Sequence, residues 1–182
     1  MKVVVAVTGA SGIAYAKKAI GALKGQEVSI VLSQGAKLLA KGEGVKLPEG
    51  KNVYVEKDFF APFASGSNAA DAMLVIPCSL KTLSAIANGY GDNLISRSAE
   101  VCIKEGKRLV LVVRETPLSP IALENCLKLA RMGVVILPAC PAFYNKPKSI
   151  GDMVDFVAGK ALDSLGVKNS LYKRWENGKK QA

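Results

Sequence analysis

Short apolar runs alternate with amphipathic segments along most of this 182-residue chain, and this alternation restricts the possible folds more than any other feature. The apolar runs are continuous, as is typical of parallel strands covered by helices on both sheet faces. They predict strands at 2–7, 27–32, 52–56, 72–77, 108–114 and 134–138. The segments between them predict helices at 11–24, 34–42, 79–89, 93–105, 119–132 and 149–166.

The alternation of strands and helices predicts a single α/β domain over residues 1–182, built on a parallel, doubly wound sheet with helices on both faces. The last stretch, from about Lys168, is polar and basic and is expected to form an arm that packs on a neighbouring chain. Hydrophobic residues make up 49% of the chain. That fraction has two explanations, a sheet buried on both faces or an apolar surface covered by neighbouring subunits.

Several classes of protein are excluded by features that the sequence lacks. It contains no histidine, which rules out Ser-His-Asp and Cys-His nucleophile systems and most zinc ligand sets. Its four cysteines include no Cys-x-x-Cys pair, so neither a disulfide framework nor a metal site is expected. No apolar run reaches the roughly 18–20 residues of a membrane-spanning helix, and the first run is too short for a signal peptide. A cytoplasmic protein without membrane contact is therefore expected.

The formal net charge of +10 indicates an anionic partner. Nucleic acid is a poor candidate, because the basic residues are scattered over predicted helix faces and aromatic residues for stacking make up only 6% of the chain. A solvated basic surface explains much of the excess charge. The remaining cations fall beside predicted strand ends, where they are available to a small anionic ligand.

Polar or glycine-rich loops follow five of the six predicted strands. Because ligands bind at the carboxyl ends of strands in open parallel sheets, these loops form the expected site. They contain Gly9, Ala10 and Ser11 after the first strand, Ser33 after the second, Ser79, Leu80, Lys81 and Thr82 after the fourth, Arg114 and Glu115 after the fifth, and residues 138–144 after the sixth. Helix starts of this kind offer free N–H groups to a phosphate or a flavin edge. A plain strand-to-helix turn, or a serine that only caps a helix, would look similar.

Three cations form a candidate phosphate site. Arg97 and Lys104 are seven residues apart on the predicted fourth helix and so lie on one face, and Arg114 follows the next strand. Together they would hold a phosphate while Glu115 handles a proton. The alternative is a solvated helix face with one salt bridge. Tyr144 lies in a loop between two prolines. Two roles are open for its hydroxyl: to bind a phosphate, or only to hold that loop in place.

Motifs along nearly the whole chain resemble those of UbiX-type flavin prenyltransferases. They are TGASGI at 8–13, ASGS at 64–67, IPCSLKTLSAIANG at 76–89, NLISRSAEV at 93–101, VRETPLS at 113–119, LEN at 123–125, PAFYNKPKSIGDMVDFV at 141–157 and the final Arg174-Trp175. The motifs follow one another in the family's order, and the later ones are highly specific.

The resemblance implies a flavodoxin-like or Rossmann-like subunit, assembled into a homo-oligomer of twelve chains and working without a metal. It implies that a dimethylallyl group passes from dimethylallyl phosphate or diphosphate to reduced FMN, first to N5 and then to C6, closing a fourth ring. The prenylated FMN would then pass to a UbiD-type decarboxylase. The choice of donor and the identity of the decarboxylase stay open.

The resemblance also assigns roles to individual residues. FMN contacts fall on Gly9, Ala10, Ser11, Ser33, Ser79, Leu80, Lys81, Thr82 and Arg114. The prenyl phosphate would be held by Arg97, Lys104, Arg114, Tyr144 and Lys160. The expected catalytic residues are Ser11 near N5, Glu115 beside the phosphate and N5, Lys104, and Glu43, which closes over the site.

A few positions depart from the family pattern. Lys160 stands where arginine is common, which keeps the charge and loses the bidentate fork. Ala122 replaces a common histidine before LEN, with little expected effect, and Lys81 adds a cation where a small or apolar residue is usual. A tryptophan that commonly precedes the ASGS loop is replaced by Phe59 or Phe60.

Two other functions remain as alternatives. A flavin-dependent cysteine decarboxylase of the related homo-oligomeric family would share the fold and the FMN site, but such enzymes use an active-site histidine, which this chain lacks. A non-catalytic FMN carrier would need no second phosphate site. The set of Arg97, Lys104, Arg114 and Tyr144 therefore argues against a carrier.

Overall fold

The fold is a six-stranded, all-parallel sheet with the strand order β3-β2-β1-β4-β5-β6. The computed structural model describes residues 1–175. Its strands are β1 (Lys2–Val7), β2 (Glu27–Leu32), β3 (Val53–Val55), β4 (Ala72–Cys78), β5 (Arg108–Val113) and β6 (Val135–Pro138). The apolar runs of neighbouring strands pair with one another, so that Val3 of the central strand β1 lies between Val28 and Ala72.

Six α-helices connect or follow the strands. They are α1 (Ile13–Ala22), α2 (Gln34–Gly42), α3 (Leu80–Ala87), α4 (Leu94–Lys104), α5 (Pro120–Arg131) and α6 (Ile150–Leu165). Four of them begin after a serine whose hydroxyl accepts a hydrogen bond from the third helical N–H, and these serines are Ser33, Ser79, Ser119 and Ser149. Asn93 does the same for α4. Side-chain caps of this kind determine where each helix starts.

Helices cover both faces of the sheet, which explains why the strands are continuous apolar runs. Val3, Val5 and Val7 of β1 pack into one core together with α1, α2 and α6. Val4 and Ala6 of the same strand pack into a second core with α3, α4 and α5. Successive side chains of a strand point to opposite faces, so each strand contributes to both cores.

The chain reverses its direction across the sheet between β1 and β4. Strands β1 to β3 run toward one edge, and β4 to β6 run toward the other. This is the Rossmann strand order, and without the three-residue edge strand β3 the remaining five strands follow the flavodoxin order. The predicted fold class is confirmed. The switch point between β1 and β4 is the place where sheets of this class bind ligands.

The differences from the predicted boundaries are small and have physical causes. The third strand covers only Val53–Val55, so Glu56 lies beyond it with its side chain available for other contacts. Cys78 extends β4 because it is buried and pairs with Val113. The predicted helices are one or two residues too long at most ends, because they include the capping residues.

The basic arm predicted from about Lys168 is described as far as Trp175. This part packs on α6 of its own chain through hydrogen bonds to Asp163. The expected packing of the arm on a neighbouring chain stays a prediction. Residues 176–182 lie outside the described residues. Among the helices that the structure describes, none has both the length and the apolar character needed to cross a membrane.

Candidate functional site

A cavity of about 450 Å³ lies at the carboxyl edge of the sheet and is called the carboxyl-edge cavity below. The loops after β1 to β5 and the start of α4 line it. Four of the five strand-end loops expected at the site are therefore found there; the fifth, the loop after β6 at 138–144, does not line the cavity, whereas Glu56 after β3 does. Predicted site residues on its wall are Gly9, Ala10, Ser33, Ser79, Leu80, Lys81, Thr82, Arg114 and Glu115. Other residues on the wall are Gln34, Gly35, Glu56, Ala85, Asn93, Ile95 and Ser96.

Thr8 ties the two central loops of the cavity together at the switch point. Its hydroxyl donates to the carbonyl of Pro77 at 2.7 Å and accepts from the N–H of Ser79 at 2.8 Å. Thr8 is 1% exposed, so both bonds are shielded from water. They hold the loop after β1 against the start of α3.

The loop after β1 meets the start of α2 through a backbone contact between Gly9 and Gly35. A Cβ on Gly9 would lie 3.1 Å from the Cα of Gly35, and a Cβ on Gly35 would lie 3.0 Å from the Cα of Gly9. A Cβ at either position would be closer than an ordinary van der Waals contact, and the atoms that would have to shift belong to the backbone. The two glycines therefore allow two walls of the cavity to close together.

Three helices begin at the cavity wall. The starts of α2, α3 and α4 are capped by Ser33, Ser79 and Asn93, which all line the cavity. A helix start carries unpaired N–H groups and a partial positive charge of roughly half an elementary charge. The fields of the three starts act on the same space and favour an anionic group such as a phosphate.

Glu56 braces two of these helix starts. Its carboxylate accepts a hydrogen bond from the N–H of Gln34 at 2.9 Å, and its carbonyl accepts from the N–H of Leu94 at 2.7 Å. A carboxylate of the chain itself therefore occupies part of the α2 start. The field that favours an anion comes mainly from α3 and α4.

Arg114 and Glu115 leave β5 side by side on the cavity wall. Nη1 of Arg114 lies 4.0 Å from Oε1 of Glu115, at the limit of an ion pair, and the same oxygen accepts from the N–H of Thr116 at 3.0 Å. Nε of Arg114 is buried and has no hydrogen-bond partner in the described part of the chain. Since buried polar groups are nearly always paired, this donor points to an acceptor that residues 1–175 do not themselves provide.

Tyr15 of α1 lies near this pair. Burial raises the pKa of the Tyr15 phenol, the positive charge of Arg114 opposes that rise, and Cys140 and Glu43 add to it. The Tyr15 ring lies over Gly12 at the start of α1, where a Cβ on Gly12 would meet it at 2.6 Å. The phenol is protonated at neutral pH and is available as a donor.

Two predicted catalytic residues lie beside the cavity, at the start of α1. The carboxylate of Glu43 accepts hydrogen bonds from the N–H groups of Gly12 at 2.8 Å and Ile13 at 2.9 Å. Glu43 thus caps a helix whose own N-terminal residue provides no side-chain cap. Ser11 is exposed and follows the wall residue Ala10 directly. Their roles in catalysis stay predictions.

Arg97 and Lys104 share one face of α4, as their spacing predicts, but that face lies along the 64–67 loop and not on the cavity wall. Nε of Arg97 donates to a carbonyl of this loop at 3.2 Å, and Nζ of Lys104 lies beside Gly66. Seven residues of helix separate the two cations by about 10 Å along the axis. Within one chain, neither reaches the cavity that holds Arg114.

Tyr144 and Lys160 form a third group, on the α6 side of the molecule. The ring of Tyr144 packs edge-on against Phe156 and Trp175, with centroid distances of 5.9 and 5.3 Å. Lys160 is exposed on α6. The predicted phosphate ligands therefore occupy three separate places in one chain.

Neither Phe59 nor Phe60 lines the cavity, and they are 45% and 98% exposed. Neither phenylalanine that replaces the family's tryptophan therefore contributes to the cavity wall. Exposed large aromatic side chains are typical of surfaces that another subunit covers.

Sequence reasoning missed several residues of the site. Gln34 and Gly35 follow the predicted Ser33 directly, and Asn93 carried the signal of a helix cap. Glu56 stood at the end of a predicted strand, where a side chain is normally committed to the sheet. Tyr15 had no signal, because one aromatic residue on an amphipathic helix is typical of a core position.

These features fit FMN. The cavity volume falls within the range of small-molecule sites, roughly 300–1,000 Å³. Gly9, Ala10 and Gly35 allow a flat ring close to the backbone, the helix starts suit a phosphate, and Arg114 supplies a donor. Among the residues that the structure describes, no three Cys, Asp or Glu side chains lie close enough together to hold a metal ion.

Comparison with known proteins identifies the family. The Flavoprotein family model matches residues 1–162. The flavin prenyltransferase UbiX of Methanocaldococcus jannaschii is 49% identical over 181 residues, which cover 96% of this chain and 98% of that protein. The crystal structure of AnUbiX (PadA1) in complex with FMN and dimethylallyl pyrophosphate is 42% identical, with 98% of each chain covered and a TM-score of 0.92.

A dodecameric FMN-dependent UbiX-like decarboxylase from Escherichia coli O157:H7 has the same fold. It is 40% identical, with a TM-score of 0.91 over 97% of this chain and 100% of that one. Both the sequence and the fold match along almost the whole chain. The chain therefore belongs to the UbiX family of flavin prenyltransferases.

Proposed function

We propose that this chain transfers a dimethylallyl group from dimethylallyl phosphate or diphosphate to N5 and C6 of reduced FMN. The observation that carries the proposal is the buried, unpaired Nε of Arg114 next to Glu115 on the cavity wall. Arg114 can stabilise the negative charge of a departing phosphate, and Glu115, which follows it directly after β5, can transfer a proton. Membership of the family supports the same chemistry.

The cavity residues are proposed to hold FMN. Gly9, Ala10 and Ser33 would bring the flavin close to the backbone, Ser11 would lie near N5, and the α3 start with its residues Ser79 to Thr82 would contact the cofactor. Arg114 donates to an acceptor on FMN or on the donor phosphate. When bound, reduced FMN supplies the nucleophilic atoms N5 and C6.

The transfer balances as follows. The C1–O bond of the donor breaks, and its electron pair leaves with the phosphate. Two bonds form, from the dimethylallyl unit to N5 and to C6, and each of these two flavin atoms loses a proton. One of the two protons is added to the dimethylallyl unit, and the other leaves with the phosphate. The flavin therefore gains one C5H8 unit, and we assign one of the proton transfers to Glu115.

We propose that a homo-oligomer completes the site. Arg97, Lys104, Tyr144 and Lys160 lie away from the cavity of their own chain, so each serves as a phosphate ligand only if a neighbouring chain brings it there. The dodecameric Escherichia coli relative offers a precedent for such an assembly. Exposed apolar side chains such as Phe60, at 98%, and Ile121, at 70%, support it further.

The product and the setting follow from the same proposal. Prenylated FMN would pass to a UbiD-type decarboxylase, and the chain would work in the cytoplasm as one flavoprotein domain over residues 1–182. Glu43 would close over the site from the start of α1. The alternative of a cysteine decarboxylase remains disfavoured because the chain has no histidine.

Replacement of Glu115 tests the proposal against a simple FMN carrier. In Glu115→Gln, FMN binding is expected to persist, while prenylation falls by about a hundredfold or more, the usual contribution of a general acid or base. Glu27→Gln, at the exposed amino end of β2 and away from the cavity, is the matched control and should keep its activity. A wild-type protein that binds FMN and never prenylates it would establish the carrier function instead.

A further inference from the structure

The stretch from Gly166 to Trp175, called the C-terminal segment here, is anchored to α6 by one carboxylate. Asp163 Oδ1 accepts from Nδ2 of Asn169 at 2.9 Å and from Nη2 of Arg174 at 2.7 Å. Asp163 Oδ2 accepts from the hydroxyl of Tyr172 at 2.6 Å and from Nη1 of Arg174 at 3.0 Å. Charge-assisted and bidentate hydrogen bonds of this kind are the strong ones.

The contact between the segment and α6 leaves no room at Gly159. A Cβ at that position would lie 2.5 Å from a ring carbon of Tyr172. The carbonyl of Gly159 also accepts a hydrogen bond from Nδ2 of Asn169 at 3.1 Å. The glycine and the carboxylate thus form a specific docking place for the segment on α6.

The docked segment brings Trp175 against Tyr144. Their ring centroids are 5.3 Å apart at an interplanar angle of 86°. Tyr144 also packs edge-on against Phe156, which in turn packs on Tyr172 at 4.9 Å. Tyr144 is therefore held from two sides, by a ring of α6 and by a ring of the C-terminal segment.

The same contacts determine the surroundings of Lys160. Lys160 and Asp163 are three residues apart on α6, a spacing at which helix side chains are neighbours. Arg174 occupies both carboxylate oxygens of Asp163, and Lys160 has no carboxylate within ion-pair distance in the described chain. Without Arg174, Asp163 would be free to pair with Lys160 and to neutralise it.

We propose that Asp163 is a positioning residue for prenyl-donor binding: by docking the C-terminal segment it holds the Tyr144 phenol in place, while Arg174 of the docked segment keeps the Asp163 carboxylate away from Lys160. The inference rests on the proposed function, because it takes Tyr144 and Lys160 as phosphate ligands. It assigns Asp163 and Arg174 a function that does not involve FMN, since neither lines the carboxyl-edge cavity.

The variant Asp163→Asn tests this role. The control is Asp155→Asn on the same helix, which removes the ion pair between Asp155 and Lys18 at 2.9 Å and leaves the C-terminal segment untouched. Three quantities are measured for each protein at matched FMN loading. They are the time-resolved fluorescence anisotropy of Trp175, the only tryptophan of the chain, the Kd for FMN, and the KM and kcat for dimethylallyl phosphate.

In Asp163→Asn, Trp175 should gain a fast nanosecond component of anisotropy decay, as expected for a released chain end. KM for dimethylallyl phosphate should rise by at least about tenfold, a change that corresponds to about 1.4 kcal/mol, with a smaller change in kcat. Kd for FMN should stay unchanged, and Asp155→Asn should behave as the wild type in all three measurements.

Several results would overturn the proposal. Unchanged anisotropy would show that Asp163 does not dock the segment, and released anisotropy with an unchanged KM would show that docking does not serve the donor. An equal loss of FMN binding would indicate general damage to the fold. If the wild type shows no prenyl transfer, the role in donor binding fails with the proposed function, while the anisotropy still decides whether Asp163 docks the segment.

Arg174→Gln gives a second test from the side of the segment. Arg174 is 55% exposed, so its replacement does not disturb the core. The same rise in KM is expected, together with release of Trp175. A normal KM in a folded Arg174→Gln protein would contradict the proposal even if Asp163→Asn failed to fold.

Discussion

At the scale of single residues, Arg114 carries the largest share of the functional argument. Its Nε is buried without a partner among residues 1–175, and leaving such a donor unpaired costs about 1–3 kcal/mol. Its ion pair with Glu115 is at the distance limit of 4.0 Å and leaves most of the guanidinium available. A bound ligand that accepts from Arg114 recovers this cost, which makes the residue a source of affinity.

Arg114→Lys should weaken FMN binding. The variant keeps the positive charge but loses the planar fork of donors. We expect Kd to rise by about tenfold, because a hydrogen bond to a charged group contributes about 1.5–3 kcal/mol. The measurement is calorimetric titration with FMN. The control is Arg108→Lys, at the other end of β5 and exposed, and an equal loss in both variants would contradict a specific role for Arg114.

Asp163 predicts a pH dependence of stability. Burial alone would raise the pKa of Asp163, but hydrogen bonds from Arg174 and Tyr172 outweigh burial and lower the pKa. A lowered pKa in the folded state contributes stability above the unfolded value of about 3.9, and this contribution is lost as the pH falls through the folded value. The free energy of unfolding of the wild type and of Asp163→Asn should therefore differ most above about pH 4 and converge in stronger acid. A pH-independent difference would contradict this assignment.

At the scale of helices and strands, the structure agrees closely with the sequence pattern. Continuous apolar runs identify buried parallel strands because both faces are covered, and serines before amphipathic runs mark helix starts through their hydrogen bonds. The pattern is least informative at β3, a three-residue edge strand, and this is why Glu56 was not recognised as a brace of α2 and α4. The contact of Gly9 with Gly35 was also invisible, because it joins elements that are distant in sequence.

Replacing two capping serines distinguishes the stability that a cap gives its helix from a contribution to FMN binding. Ser79 caps α3 at the cavity, and Ser119 caps α5 away from it. Ser79→Ala and Ser119→Ala should each lower the free energy of unfolding by about 1 kcal/mol. Only Ser79→Ala should also raise the Kd for FMN. Chemical denaturation and FMN titration provide both values, and an equal effect of both variants on FMN would argue against the cavity as the site.

At the scale of the whole molecule, the candidate phosphate ligands lie in three places. Helix α4 begins at the cavity and ends near the start of β5, so Lys104 lies toward the opposite edge of the sheet from Arg114. Motifs in the sequence identified these residues but contained no information on the distances between them. Those distances depend on how elements pack and on how chains assemble, and neither is encoded in local spacing.

A charged residue introduced on the exposed face of α5 should disrupt assembly and leave FMN binding largely intact. Leu123 and Leu127 are both 52% exposed, so Leu127→Asp leaves the core intact. We expect light scattering to show a smaller assembly than twelve chains of 19.2 kDa. Prenylation should fall much more than FMN binding, because the donor phosphate loses ligands from the neighbouring chain. Full prenylation by a dissociated chain would contradict a site shared between subunits.

The central claim is that the chain prenylates reduced FMN, and the mass of the extracted flavin tests it most directly. The purified protein is incubated without oxygen with reduced FMN and dimethylallyl phosphate, and the diphosphate is tried in parallel. We expect the flavin to gain one C5H8 unit with the wild type and not with Glu115→Gln. Unmodified flavin from a folded, FMN-loaded protein with both donors would contradict the account and leave a flavin carrier in its place.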